Sequence, residues 1–194
     1  MTVDSKNVLT GAPDQLTTGP ILSAPVGTTL PTSALDTLDP AFTDGGYVSD
    51  EGLNLTPERS SESIRDWSGA KIREILTEFS ASLSWTHLET SEESLKDYFG
   101  DDNVAVTAAT TTNGKQLAAE LKDAELPRKS RVFKIKDGTN KVLVVVPDGQ
   151  VTETGEVSFT RAGAVMWPCT MTTFPDANGV HVYVYTDDGV FTAV

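Results

Sequence analysis

Two histidines, one cysteine and a generous supply of carboxylates are the residues of this 194-residue chain equipped for chemistry. A metal centre or a nucleophilic site needs such groups clustered at ligand or triad spacing, and His87, His181 and Cys169 form no such cluster in sequence. Both histidines read as partly exposed sheet positions, His87 on the Ser-rich face of its strand and His181 at the start of VHVYVY. Cys169 follows Trp167-Pro168 with no basic residue close by to activate a thiolate, so it reads as a small buried hydrophobe. A lone cysteine also excludes an intrachain disulfide. Asp101-Asp102 and Asp187-Asp188 are the adjacent acid pairs from which a glycosidase reading would start. Adjacent strand residues point to opposite faces, so these read as loop acids beside turns. No calcium-type DxDxDG loop and no Gly-rich phosphate loop occurs. The expectation is a protein that is not an enzyme, with no cofactor and no metal.

The elements that would position these residues are mostly strands. Thr (26) and Val (19) outnumber Leu (16), and β-branched side chains suit a pleated, half-buried surface. Lys71 to Leu88 gives the clearest alternation, with Ile75, Phe79, Ala81, Leu83 and Trp85 on one parity and Glu74, Glu78, Ser80, Ser82 and Ser84 on the other. Further strands are expected at 104–108, 131–136, 141–146, 151–159, 171–174 and 180–185. Asp137-Gly138, Asp148-Gly149 and Asn178-Gly179 supply turn chemistry between them. GYVSDEGLNLTPE reads as two short strands around a turn near Asp50-Glu51-Gly52, while 117–126 reads equally as helix or strand.

One helix is expected in TSEESLKDYFG, with Thr90 as N-cap, Glu93 closing a capping box, and Gly100 as the stop. Leu95, Tyr98 and Phe99 would form its buried face. The fold class is therefore mainly β: two packed β-sheets, sandwich or barrel-like, flanked by one short α-helix. Residues 1–45 are rich in Thr, Pro, Gly and Ser, and read as an extended N-terminal arm and first strand that order by lying against something else, in contacts between subunits. Residues 46–194 form the β-sandwich domain.

The formal net charge is −13, and it is uneven. Residues 47–103 hold thirteen acids and five bases, whereas 104–194 hold ten and nine. Such a surface repels nucleic acid and anionic membranes. No apolar run approaches a membrane span, and no secretory signal is readable at MTVDSKNVLTGAP. One basic stretch, Arg128, Lys129, Arg131, Lys134, Lys136 and Lys141, admits three readings. It is a solvated strand face, a band that meets the acidic band of a neighbouring copy, or a nucleic-acid patch. A monomeric carbohydrate- or ligand-binding sandwich is the alternative class, with Trp67, Trp85 or Trp167 as a stacking platform.

An ordered series of phrases carries a resemblance. GPILSAPVGTTLPTSA, DPAFTDGGYVSDEGLNLTPE and IRDWSGAKIREILTEFSASLSWTHLET come first, followed by SEESLKDYFGDDNVAVTA, ELPRKSRVFKIKDG, VVVPDGQVTETGEVSF and WPCTMTTFPDANG. Together they resemble the major tail, or tail tube, proteins of long, non-contractile-tailed bacteriophages, closest to those of actinobacteria. The likeness runs from about Gly19 to the C-terminus. Gly45 departs from it, since an apolar residue is expected before Gly46-Tyr47.

The resemblance implies a virion protein assembled in the host cytoplasm, whose copies form stacked hexameric rings. The rings make a hollow tube through which DNA passes without specific binding during genome ejection. It implies a tape-measure protein, a tail terminator and tail-tip proteins as further partners, and no membrane. Glu74, Glu78, Asp101 and Asp102 are the acids expected to face the lumen. Ile21, Leu22, Tyr47, Arg128, Lys129 and Arg131 are the residues expected at contacts between copies.

Overall fold

The computed structural model describes residues 8–15 and 18–190. The chain runs through β1 (Ile21–Pro25), β2 (Thr43–Asp44), β3 (Asn54–Arg65), β4 (Lys71–His87), α1 (Glu92–Phe99), β5 (Val104–Thr107) and β6 (Gln116–Ala119). It continues through β7 (Arg128–Asp137), β8 (Asn140–Thr154), β9 (Trp167–Phe174) and β10 (Tyr183–Asp187). Eight strands form one sheet in the order β2-β1-β7-β8-β9-β4-β3, with β10 paired to β8, and β5-β6 is a separate two-stranded sheet.

The large sheet branches at β8. Lys141–Val145 of this strand pairs with β10, whereas Asp148–Thr154 pairs with β9. The two branches fold over one apolar core, to which Ile21, Phe133, Val144 and Val146 contribute from one side and Leu83, Trp85, Cys169 and Met171 from the other. This is the mainly β, two-layered architecture with a flanking helix that the alternation predicts. Every position of VLVVV is apolar because both faces of β8 are covered there. Val144 and Val146 enter the first core, while Leu143 and Val145 join Leu22, Ala24, Phe42 and Val132 in a second.

Several local readings change. Asp148-Gly149 is no turn: it lies inside β8, which runs unbroken to Thr154. Gly149 is needed for a close approach, since a Cβ there would lie 2.3 Å from Met171 Sδ. Asp137-Gly138 does form the β7–β8 hairpin, with Asp137 opposite Asn140 and Gly138 at φ 61°. Of the ambiguous stretch, Leu117–Ala119 falls in a strand. The helix is capped one residue later than expected, by Ser91, and Ser94 closes the capping box. Thr90 Oγ1 is otherwise engaged, accepting the Trp167 indole N–H at 3.1 Å. Gly100, at φ 98°, ends the helix.

The proline-rich N-terminal region holds a strand of the chain's own sheet. β1 lies between β2 and β7, and Ile21 and Leu22 are buried there. The opposite edge behaves differently. β3 is exposed along nearly its whole length, as is β4 from Lys71 to Glu78. These segments form a two-stranded ribbon that leaves the body of the fold, and only from Ala81 onward does β4 alternate into the core.

Candidate assembly interface

Of the chemistry-bearing residues, His87 and Cys169 lie in one sealed place, whereas His181 lies apart, its Nδ1 3.0 Å from Thr173 Oγ1 and its ring edge-on to Phe79. His87, read as part of the Ser-rich face, follows Ala81, Leu83 and Trp85 on the inward parity and is 0% exposed. It meets Asp97 of α1 and, through Asp97, Arg131 of β7, which are 3% and 1% exposed. Arg131 donates to both Asp97 oxygens, Nη1 to Oδ2 at 2.5 Å and Nη2 to Oδ1 at 3.0 Å. Lys129 Nζ lies 3.4 Å from Asp97 Oδ1 and 2.6 Å from Asp101 Oδ1. The Arg131 guanidinium also stacks 4.8 Å from the Trp85 ring centroid. Burial pushes the Asp97 carboxyl up, but the charge and hydrogen bonds of Arg131, with the charge of Lys129, hold it well below the usual carboxylate range.

The His87 tautomer follows from its neighbours. The Gly45 carbonyl, 3.1 Å from Nδ1, only accepts, so Nδ1 carries the proton. Nε2 then accepts the Trp85 indole N–H at 2.8 Å, so its 3.3 Å approach to Asp97 Oδ2 is a contact between two acceptors and not a hydrogen bond. The same ring constrains residue 45. A Cβ on Gly45 would lie 2.9 Å from His87 Cε1, so an apolar side chain does not fit. This buried cluster acts as a clamp: Asp97 fastens α1 to Arg131 of β7, and Arg131 in turn packs on Trp85 of β4. Cys169 is buried beside it, and burial first, then the Asp97 charge, push its thiol up to about 12.

The projecting ribbon is a surface with unmet demand for cover. Ile64, Ile72, Ile75 and Leu76 are all exposed, and Trp67 in the tip turn is 104% exposed. A two-stranded ribbon is marginal on its own in water, so one that displays isoleucines is built to be covered. Its faces are set by bulges. Ser60 pairs with Glu78 and Ser61 with Leu76, leaving Thr77 as an extra residue whose hydroxyl bonds the Ser60 carbonyl at 3.0 Å. The parity of β4 therefore inverts at Thr77. Ile75 moves to the face of Glu78, and Glu74 moves to the face of Arg59 and Phe79. The Ser61–Glu74 hydrogen bond at 3.3 Å and the Lys71–Glu74 pair at 2.8 Å both lie on that second face.

The expected site residues are thus dispersed. Glu74 and Glu78 stand on opposite faces of the ribbon. Asp101 and Asp102 lie in a 3-10 turn after α1, where Asp101 pairs with Lys129 and Asp102 is exposed. Among the expected contact residues, Ile21, Leu22, Lys129 and Arg131 are enclosed by their own chain. Tyr47 is exposed, as is Arg128, which forks onto Asp148 at 2.8 and 2.5 Å and covers the Phe174 ring. Trp85 and Trp167 are buried, so Trp67 alone remains of the stacking platform. Sequence reasoning missed Asp97 altogether. The available signal was the inward parity of His87, which demands a buried polar partner.

The described residues thus form a β-sheet body with a long uncovered ribbon and a sealed polar clamp. The family model described as phage tail tube protein matches residues 1–193, and the chain belongs to that family of structural tail proteins. No curated protein matches it. Among solved structures, the chain is similar to one in the anti-feeding prophage cap, the AFP tube terminating cap, at 12% identity and TM-score 0.42, covering 93% of this chain and 94% of that chain. It is also similar to a chain of the native gene transfer agent particle virion, at 11% identity and TM-score 0.39, covering 87% and 95%. A third similarity is to a chain of the PVC sheath-tube complex of an extracellular contractile injection system in its extended state, at 8% identity and TM-score 0.38, covering 94% and 98%.

Proposed function

We propose that this chain assembles with copies of itself into hexameric rings that stack into the tail tube of a long, non-contractile-tailed phage, of the kind that infects actinobacteria. The observation that carries the reading is the uncovered ribbon, β3 with Lys71–Glu78, in a chain of the tail tube family. Its exposed isoleucines, Leu76 and Trp67 find cover only in another chain. Tyr47 and Arg128, both exposed, add to the contacts between copies. The assembly takes place in the host cytoplasm, with a tape-measure protein, a tail terminator and tail-tip proteins as partners.

The tube is the conduit for genome ejection. DNA carries one charge per roughly 1.7 Å, so a basic wall would retain it and an acidic wall keeps it mobile. The net charge of −13 suits the second role. Glu74, Glu78, Asp101 and Asp102 are the candidates for the lining, and the bulge at Thr77 lets only one of the first two front it from a single strand face. Lysine placed at each in turn sorts them, since a lining residue slows DNA ejection and any other leaves it unchanged.

Negative-stain electron microscopy with light scattering across concentrations tests the assembly. Sixfold rings or hollow tubes, formed alone or with tail-tip and tape-measure proteins added, are the expected result. A strict monomer even with those proteins present overturns it and favours the monomeric binding module.

A further inference from the structure

Trp67 is the most exposed large apolar side chain among the described residues, and the turn that presents it is preformed. Asp66 Oδ1 accepts from Ser68 Oγ at 2.7 Å and from the Ala70 N–H at 2.8 Å, and Arg65 Nη1 donates to the Gly69 carbonyl at 3.0 Å. An indole held out on a fixed turn loses little freedom when it enters a pocket. At the other end of the ribbon, just before Asn54, lies an apolar groove of about 460 Å³. Pro13, Val48, Leu53, Leu88, Phe133 and Ile135 line it, with the exposed Tyr47 at its lip. We infer that the ribbon tip of one copy docks in this groove of a second copy, with Trp67 as the anchor.

Apolar surface and charge both favour this occupant. Trp67 is flanked by Ile64 and Ile72, both exposed, so the tip brings an apolar end to an apolar floor. From Ile64 to Arg73 the tip carries Arg65, Lys71 and Arg73 against the single acid Asp66, a basic patch in the most acidic part of the chain. Asp50 lines the groove beside Glu51, and Asp14 follows Pro13, against the one lining base, Lys134. A basic tip and an acidic border attract, whereas two tips or two grooves repel.

The groove that receives the tip belongs to another copy, because the ribbon holds its tip away from its own root. β3 pairs with β4 along its full length from Asn54 to Arg65. At about 3.3 Å per residue these strands carry Trp67 roughly 35 Å from the groove. That reach is close to the diameter of a domain of this size, about 40 Å, so the tip arrives at the next body. Tip and groove are different surfaces, so each copy gives one and receives one. Such a contact propagates and does not stop at a two-fold dimer. It takes up only the end of the ribbon, so Glu74 and Glu78 remain candidates for the lining. The inference rests on the self-assembly proposed above and names the two surfaces that join.

The test is cross-linking with Ser68→Cys at the tip and Asp50→Cys at the groove, two exposed positions, each in the full chain. Cys169 is buried and does not compete. An equimolar mixture of the two variants is assembled with tail-tip and tape-measure proteins present, then treated with a short bismaleimide. The expected product is a covalent dimer joining position 68 of one variant to position 50 of the other, identified by peptide mass spectrometry. As a second measurement, Trp67→Ala raises the protein concentration needed for assembly about thirtyfold. Trp67→Phe, which keeps an aromatic anchor, raises it by less than about tenfold. Rings or tubes that form without the mixed dimer, or with Trp67→Ala unaffected, overturn the tip-in-groove contact and leave the tube reading standing. Failure of wild type itself to assemble with those proteins present overturns both.

Discussion

Replacing Asp97 with Asn removes one negative charge from the sealed clamp with almost no change in volume. The side chain that suffers is Arg131, which is 1% exposed and donates to both Asp97 oxygens. Lys129 is better protected, because Asp101 holds it at 2.6 Å. The variant therefore leaves a single buried guanidinium without its counter-charge, a loss of about 3–5 kcal/mol. For a domain of this size each kcal/mol lowers the midpoint by about 2–4 °C, so the melting temperature falls by about 10 °C. Urea unfolding followed by tryptophan fluorescence is the assay of choice, since Trp85 lies over Arg131 and donates to His87. The midpoint moves down with the slope unchanged.

A pH arm follows from the same group. The folded carboxyl titrates below its ordinary value of 3.8, so its stabilisation is present above that value and is lost as pH falls below it. Asp97→Asn flattens this acid limb. A variant within about 1 kcal/mol of wild type, with the acid limb intact, refutes the clamp as a charge-compensated unit.

Gly45→Val drives a side chain into the His87 ring. It costs about 1–3 kcal/mol in a thermal melt, and a neutral effect contradicts the close approach. Trp67→Ala leaves the melting curve of the isolated subunit within about 0.5 kcal/mol, because the ring touches water on all sides. The same substitution weakens assembly in light scattering, and unchanged assembly would show the tip to be uncovered in the tube. Cys169, buried and with its thiol pushed up to about 12, stays unreactive toward a thiol reagent at pH 8 and reacts fully in urea. Rapid labelling of the folded chain would contradict its place in the core.

Strand alternation made most of the fold legible before any coordinates. Ala81, Leu83 and Trp85 point inward as their parity predicts, and the apolar run of β8 announces burial on both faces. What stayed hidden depends on events that periodicity does not encode. The extra residue at Thr77 inverts the parity of β4, so Glu74 and Glu78 part company although they are four residues apart. Gly149 looks like turn chemistry beside Asp148, whereas Met171 requires it inside a strand. The clamp joins residues 85, 97 and 131 from three elements, and no local spacing foretells such a meeting. The first strand within residues 1–45 comes from a short apolar phrase, and β7 offers it a full set of partners from Ile21 to Pro25.

The central claim is that copies of this chain build a tube wall. Cryo-electron microscopy of tails from virions of the phage that encodes it tests this most directly. The account predicts stacked sixfold rings of this chain around an open lumen, with each ribbon covered by another copy. A tail whose wall is built of a different protein, or a wall in which the ribbon from Asn54 to Glu78 stays bare, would contradict it.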